Sequence, residues 1–333
     1  MSDPPAKTGL DFLVIGAQKA GTTSLFEYLR RHPEIYLPPG KEAPYFADDG
    51  MVAHGWDSYL AQTFAGADPG RRWGTASPQY MAGAVLAPAE PIEGAPELAV
   101  PGRIHARLPD VRLVAILRDP VARAASHHRM MRLRGEDTRT FERAVDEQLR
   151  PPALDAARAA PTPTSTYVAW GEYGRILAGY LELFPAEQLL VVYTDDLERH
   201  PVEVLAEVHR HLGVRADFVP DNLDRRFRVG AAEQRLSGVS PETLRERARR
   251  SGALRGAWER LPRGARHALH NGFEKVTYRF DLWNRRGATE EPEGPPAAAT
   301  EERLRQHFAA DAEVLRAQLG ALPPWVNGRS PRP

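Results

Sequence analysis

The stretch FLVIGAQKAGTTSL, residues 12–25, constrains the fold of this chain more than any other. The apolar run Phe12–Ile15 ends at a glycine and reads as a buried strand. Gly16 and Gly21 bracket a turn of four residues, and Thr23–His32 then follows a helical pattern. Two further apolar runs, Leu113–Leu117 and Leu189–Tyr193, repeat the strand signal. Helical patterns surround them: Pro120–Arg134 follows the second run, Glu172–Phe184 precedes the third, and Pro201–Leu212 follows it. Pro120 and Pro201 stand where a first helical turn tolerates proline. Strands alternating with helices predict an α/β fold, a central parallel sheet flanked by helices.

The chain is 333 residues long, enough for a sizeable core. We expect a flexible N-terminus over 1–10 and one domain over 11–327, with a variable helical insertion and linker at 238–300. The segment 87–102 is rich in Pro, Gly and Ala and reads as a loop; 285–302 reads as a linker before a last helix, Arg303–Leu319. Between Arg245 and Arg286 the chain is basic and carries Trp258, Phe273, Tyr278, Phe280 and Trp283. Three uses fit that segment: closing over an anion, touching an acidic membrane surface, or packing its aromatics beneath solvated arginines.

The first turn has chemistry as well as shape. Backbone amides of a glycine turn, converging ahead of a helix N-terminus, make an anion site. The loop is of the P-loop type, but loops for nucleoside triphosphates read G-x-x-x-x-G-K-[ST], with lysine after the second glycine. Here Thr22 holds that place and the lysine is inside the loop, at Lys19. A second anion site is expected past the end of the second strand. Arg118 follows Leu117 directly, where open α/β sheets bind ligands, and Ser126 lies eight residues on along the next helix. Taken alone, Arg118 reads more readily as a partner of Asp119 or a helix-end contact; two anion sites, one per strand end, shift that balance.

These residues carry a family resemblance. GAQKAGTTSL resembles the 5′-phosphosulfate loop of sulfotransferases that use 3′-phosphoadenosine 5′-phosphosulfate (PAPS), and LRDPVARAASHH resembles their 3′-phosphate segment. The likeness is to the branch that sulfates heparan glucosamine units and to its bacterial relatives. GRIHARLPDVRLVAILRDP and GEYGRILAGYLELFPAEQLLVVYTDDL extend it, and DAEVLRAQLGALPPWV resembles the branch's terminal helix.

The resemblance implies a PAPS-dependent sulfotransferase. It implies that Gly16, Gln18, Lys19, Ala20, Gly21, Thr22, Thr23 and Ser24 hold the 5′-phosphosulfate and that Arg118 and Ser126 hold the 3′-phosphate. Arg226 or Arg228, in RRFRVGAAEQR, falls where relatives place a basic loop over the nucleotide. Lys19 then stabilises the departing oxygen. Glu42, ahead of Tyr45-Phe46, matches the family's general base; the alternative is a solvent-facing Lys41–Glu42 pair. The stretch GTASPQYM, 74–81, departs from the family, which carries Glu or Lys near its start where Thr75 and Ala76 stand here.

Composition trims the alternatives. Lys plus Arg and Asp plus Glu number 44 each, which argues against a general nucleic-acid partner. Cysteine is absent, so disulfides and thiolate metal sites are excluded. His127 and His128 are adjacent on a helix and make a poor metal pair, and no metal is expected. His105 reads as a packing or surface residue, and Tyr173 as either cleft or core. No apolar window is long enough to span a bilayer and MSDPPAKTGLDF is no secretory leader, so the expected setting is the cytoplasm, without integral membrane contact. The expected partner is a small-molecule or carbohydrate-like acceptor. A P-loop kinase of a small molecule and a non-catalytic nucleotide-binding relative are the rival functions.

Overall fold

A computed structural model of the chain describes residues 7–86, 88–89, 94–223 and 295–327. The chain divides into two compact units: 1–37, 41–227 and 294–333 make the first, and 38–40 with 228–293 make the second. Only Pro38–Gly40 of the second is described. The expected basic insertion over 245–286, with Arg226 and Arg228, lies outside the described residues.

The first unit is built on five strands in the order β2-β3-β1-β4-β5, all parallel. They are β1 (Phe12–Gly16), β2 (Ile35–Tyr36), β3 (Arg72–Ala76), β4 (Arg112–Leu117) and β5 (Leu189–Tyr193). The first, fourth and fifth are the apolar runs read from the sequence. The other two had no such signal. Ile35–Tyr36 is a two-residue pairing, and Arg72–Ala76 (RWGTA) opens on a charge and carries a glycine. Gly74 is required by packing: a Cβ there would stand 2.4 Å from the Phe12 ring on the neighbouring strand. The glycine that hides the strand in the sequence is what lets it pair.

Alternation along the strands feeds two cores. Leu13, Ile15, Leu113, Ala115, Leu117 and Leu189 face one layer; Phe12, Val14, Val114, Ile116 and Val192 face the other. Helix α1 (Thr22–Leu29) and helix α10 (Pro201–Leu212) line the second face through Leu25, Phe26, Leu29, Leu205 and Val208. On the first face lie α2 (Asp49–His54), α3 (Trp56–Thr63), α4 (Ala99–Arg107) and α8 (Tyr173–Leu181) with the 3-10 turn Tyr45–Ala47. A third cluster joins α5 (Pro120–Leu133), α6 (Phe141–Gln148), α7 (Pro151–Ala159) and α11 (Ala298–Leu319) through Met131, Phe141, Leu154, Leu304 and Phe308. The short α9 (Thr194–Arg199) leads from β5 into α10.

Two boundaries depart from expectation. Helix α4 begins at Ala99, inside the segment read as the 87–102 loop, and α11 begins at Ala298, inside the expected linker. Prolines and glycine near each start hid both helices: α4 opens Ala-Val-Pro-Gly and α11 opens Ala-Ala-Thr, just past Pro295-Pro296.

Candidate functional site

Chain ends of β1, β3 and β4 come together at one edge of the sheet. After β1, the Ala17 amide bonds the Ile116 carbonyl of β4 at 2.7 Å, and the Ser77 amide after β3 bonds the Val14 carbonyl of β1 at 3.0 Å. Between them the loop 16–21 takes a path that two residues make possible. Lys19 is the one non-glycine described with positive φ, at 66°, and Gly21 sits at φ 90° as the N-cap of α1. A left-handed lysine is strained, and such strain concentrates where backbone groups must face a ligand.

Helix α1 has no side-chain cap and no acidic residue in its first turn. Its leading amides are therefore left to an anion, and the macrodipole favours one. Thr22 and Thr23 are buried at the start of the helix, and Ser24 is half-buried beside them. The loop is pinned from behind: Thr194 Oγ1 lies 2.6 Å from the Ala20 carbonyl and 3.0 Å from that of Leu117. In Gln18, the buried Oε1 has no hydrogen-bond partner among the described residues. The cradle is made of amides and hydroxyls, and the first turn of α1 carries no acid.

Arg118 reaches the same loop. Its Nη1 donates to the Lys19 carbonyl at 3.4 Å, and Tyr173 supports its backbone by donating to the Arg118 carbonyl at 3.0 Å. Asp119 is engaged elsewhere: it accepts from the Val121 amide at 2.8 Å, capping α5, and pairs with Arg305 at 3.5 Å. One turn on, Arg123 is fully buried, with its Nη1 3.5 Å from His127 Nδ1 and its Nη2 on the Tyr167 carbonyl. Burial, with the Arg118 charge adding to it, lowers its guanidinium to about 10. Ser126 is half-buried on α5.

The histidines belong to the packing. His127 stacks on Trp170 at 5.3 Å and is held well below the ordinary imidazole range by burial and then by Arg123 and Lys19. His128 Nε2 meets the Arg139 carbonyl at 2.9 Å, and His105 packs edge-on against Phe184. No group of three or more metal-ligating side chains occurs among the described residues.

The loop after α1 brings in the acid. Its backbone is bolted at Ala43: the amide donates to Ser77 Oγ at 3.1 Å, and the carbonyl accepts from Tyr59 and Tyr80 at 3.1 Å each. Glu42 is thereby set between two donors. Lys41 Nζ is 3.3 Å from one carboxylate oxygen, and Gln79 Nε2 donates to the other at 2.7 Å. Lys41 itself is buried and donates to Thr22 Oγ1 at 3.1 Å. The pair is not a solvated one. Glu42 keeps 37% of its side chain exposed, whereas Lys41 keeps 5%.

Lys41 and Gln79 are the site neighbours that sequence reasoning passed over. A lysine beside a glutamate in a loop carries no mark of burial, and Gln79 enters only because β3 runs parallel beside β1.

The model of the sulfotransferase family matches residues 11–218, and the chain belongs to that family. Among curated relatives, the bifunctional heparan sulfate N-deacetylase/N-sulfotransferase of Drosophila melanogaster is 29% identical over 216 residues, 61% of this chain and 20% of that protein. The heparan sulfate glucosamine 3-O-sulfotransferase 3B1 of Homo sapiens is 29% identical over 208 residues, 61% of this chain and 46% of that one. The chain thus spans less than half the length of either. Among solved structures, the sulfotransferase from Alicyclobacillus acidocaldarius aligns with a TM-score of 0.62 at 23% identity, over 96% of this chain and 100% of that one. At that identity the likeness bears on the fold.

Proposed function

We propose that the protein transfers the sulfuryl group of PAPS to a hydroxyl or amine of a small or sugar-like acceptor. One observation carries the reading: the Glu42 carboxylate is tied through Lys41 to Thr22, the first residue of the anion-binding helix. An acid that far forward, partly exposed and held by two donors, stands where an acceptor meets a donor seated in the loop. Glu42 takes the acceptor's proton as the acceptor attacks sulfur in line. The loop amides, Thr22, Thr23 and Ser24 hold the 5′-phosphosulfate, and Lys19 stabilises the departing oxygen. Arg118 and Ser126 hold the 3′-phosphate, with the buried charge of Arg123 behind them. The relatives named for heparan sulfate glucosamine favour a sugar-like acceptor. No helix among the described residues is long and apolar enough to cross a membrane.

Calorimetry with 3′,5′-adenosine bisphosphate and with ATP tests the donor. Preference for the bisphosphate is expected; preference for ATP with magnesium points to a kinase and overturns the reading. Mass spectrometry of amino-sugar and alcohol acceptors incubated with PAPS is expected to find an added sulfonate. Tight bisphosphate binding with no sulfonated product from any acceptor supports a non-catalytic relative instead.

A further inference from the structure

Lys41 lies 19 positions beyond Thr22 in sequence, yet its ammonium touches the Thr22 hydroxyl at 3.1 Å. Position 22 is where nucleoside triphosphate loops of this shape carry their lysine. Just past the end of β3, Ser77 accepts from the Ala43 amide and fixes the loop that carries Lys41. Burying an ammonium is costly, and its acidic neighbour Glu42 is partly open to solvent. The Lys41 ammonium bridges the start of α1 and the acid, so its donor atom stands beside the loop.

We propose that Lys41 is the second cation of the transfer site and donates to the non-bridging oxygens of the sulfuryl group. The inference rests on the PAPS reading above. Its position favours the sulfuryl end over the ribose end: Nζ is 3.3 Å from the carboxylate that faces the acceptor and 3.1 Å from the start of α1. A point on the line from base to loop is where sulfur passes. As the acceptor's oxygen or nitrogen bonds to sulfur, its proton goes to Glu42. The bond from sulfur to the bridging oxygen breaks, and the electron pair leaves with 3′,5′-adenosine bisphosphate. Lys41 neither gains nor loses a proton; it balances charge on the oxygens that stay with sulfur, while Lys19 serves the oxygen that departs.

The two nucleotides differ by the sulfuryl group alone, so their affinities separate the roles without an acceptor. In Lys41→Met, calorimetry is expected to show PAPS binding weakened about tenfold or more, the scale of one charged hydrogen bond, with the bisphosphate within about threefold of wild type. Equal losses for both nucleotides would assign Lys41 to the 5′-phosphate or to the fold, and no loss for either would confine it to orienting Glu42; each overturns the proposal. If Lys41→Met fails to give a cooperative melt, Lys41→Gln carries the same comparison. Wild-type protein that binds neither nucleotide overturns the proposed function and this inference with it. Wild-type binding of both, with their ratio unchanged in the variants, overturns the role of Lys41 alone.

Discussion

Two regions of the molecule bury several charges each, and they do so to different ends. Around Glu172, which is 3% exposed, the charges close on one another. Arg158 Nη2 donates to it at 2.6 Å, Arg175 Nε at 2.7 Å, and His307 lies 2.9 Å away, so that α7, α8 and α11 share one acid. Burial alone would raise that carboxyl; His307 and the two arginines bring it down to about 2. Around the first loop the acid, Glu42, stays partly open to solvent while its lysine partner is buried. Lys41 bridges the partly exposed Glu42 and Thr22, Arg118 donates to the Lys19 carbonyl, and Asp119 serves α5 and Arg305. A closed set of charges fixes helices against each other. Under the proposed function, the cations at the carboxyl ends of these parallel strands meet an arriving anion.

The comparison breaks if Glu42 proves dispensable. Glu42→Gln is expected to lower turnover by about 10²–10⁴-fold, the usual worth of a general base, with bisphosphate affinity unchanged. Initial rates against an accepted substrate measure the first, calorimetry the second. Turnover within about threefold of wild type removes the base from the reading.

The closed set should fail in the opposite way. Glu172→Gln leaves the two arginines and His307 without their shared charge and is expected to cost roughly 3–5 kcal/mol of stability. Denaturant midpoints check this. Bisphosphate affinity in the folded fraction is expected to stay within about threefold of wild type.

Acid reaches the same group. Its carboxyl falls from an ordinary 4.5 to about 2 in the fold, so the stability it adds is whole above pH 4.5 and disappears as pH falls toward 2. At roughly 1.4 kcal/mol per unit, about 3 kcal/mol is lost over that window. Melting temperatures of wild type and Glu172→Gln should converge there as pH falls, and parallel curves would contradict the assignment.

The smallest effect tests the loop's backbone. Gly21→Ala places a Cβ at φ 90°, where the surrounding atoms leave ordinary van der Waals room, 3.4 Å to Ile116 Cδ1. The cost is therefore conformational, about 1–2 kcal/mol. A thermal shift of only a few degrees is expected, with weaker bisphosphate binding as the amides tilt.

The sequence made legible what depends on local pattern. The strands that face helices on both sides announce themselves as unbroken apolar runs, and Gly16 and Gly21 announce the tight turn into α1. What it hid depends on neighbours distant in the chain. Arg72–Ala76 lacks an apolar run because Phe12 fills the space above Gly74, a fact that only pairing supplies. Lys41 looks like any surface lysine until its loop is fastened by Ser77, Tyr59 and Tyr80. In the site, then, the residues of the glycine loop could be read one by one, whereas those that aim the acid could not.

Helix α11 arrives roughly a hundred residues after β5, yet its Asp311 receives the Gly174 and Arg175 amides at 2.8 Å each, at the start of α8. Its Arg305 meets Asp119, next to the arginine that faces the loop. A growing polypeptide that has already released all five described strands therefore still lacks the carboxylate that closes α8 and the guanidinium that steadies the turn after β4. If the site takes the proposed nucleotide, its competence should come as a single event only after α11 has been made and has docked.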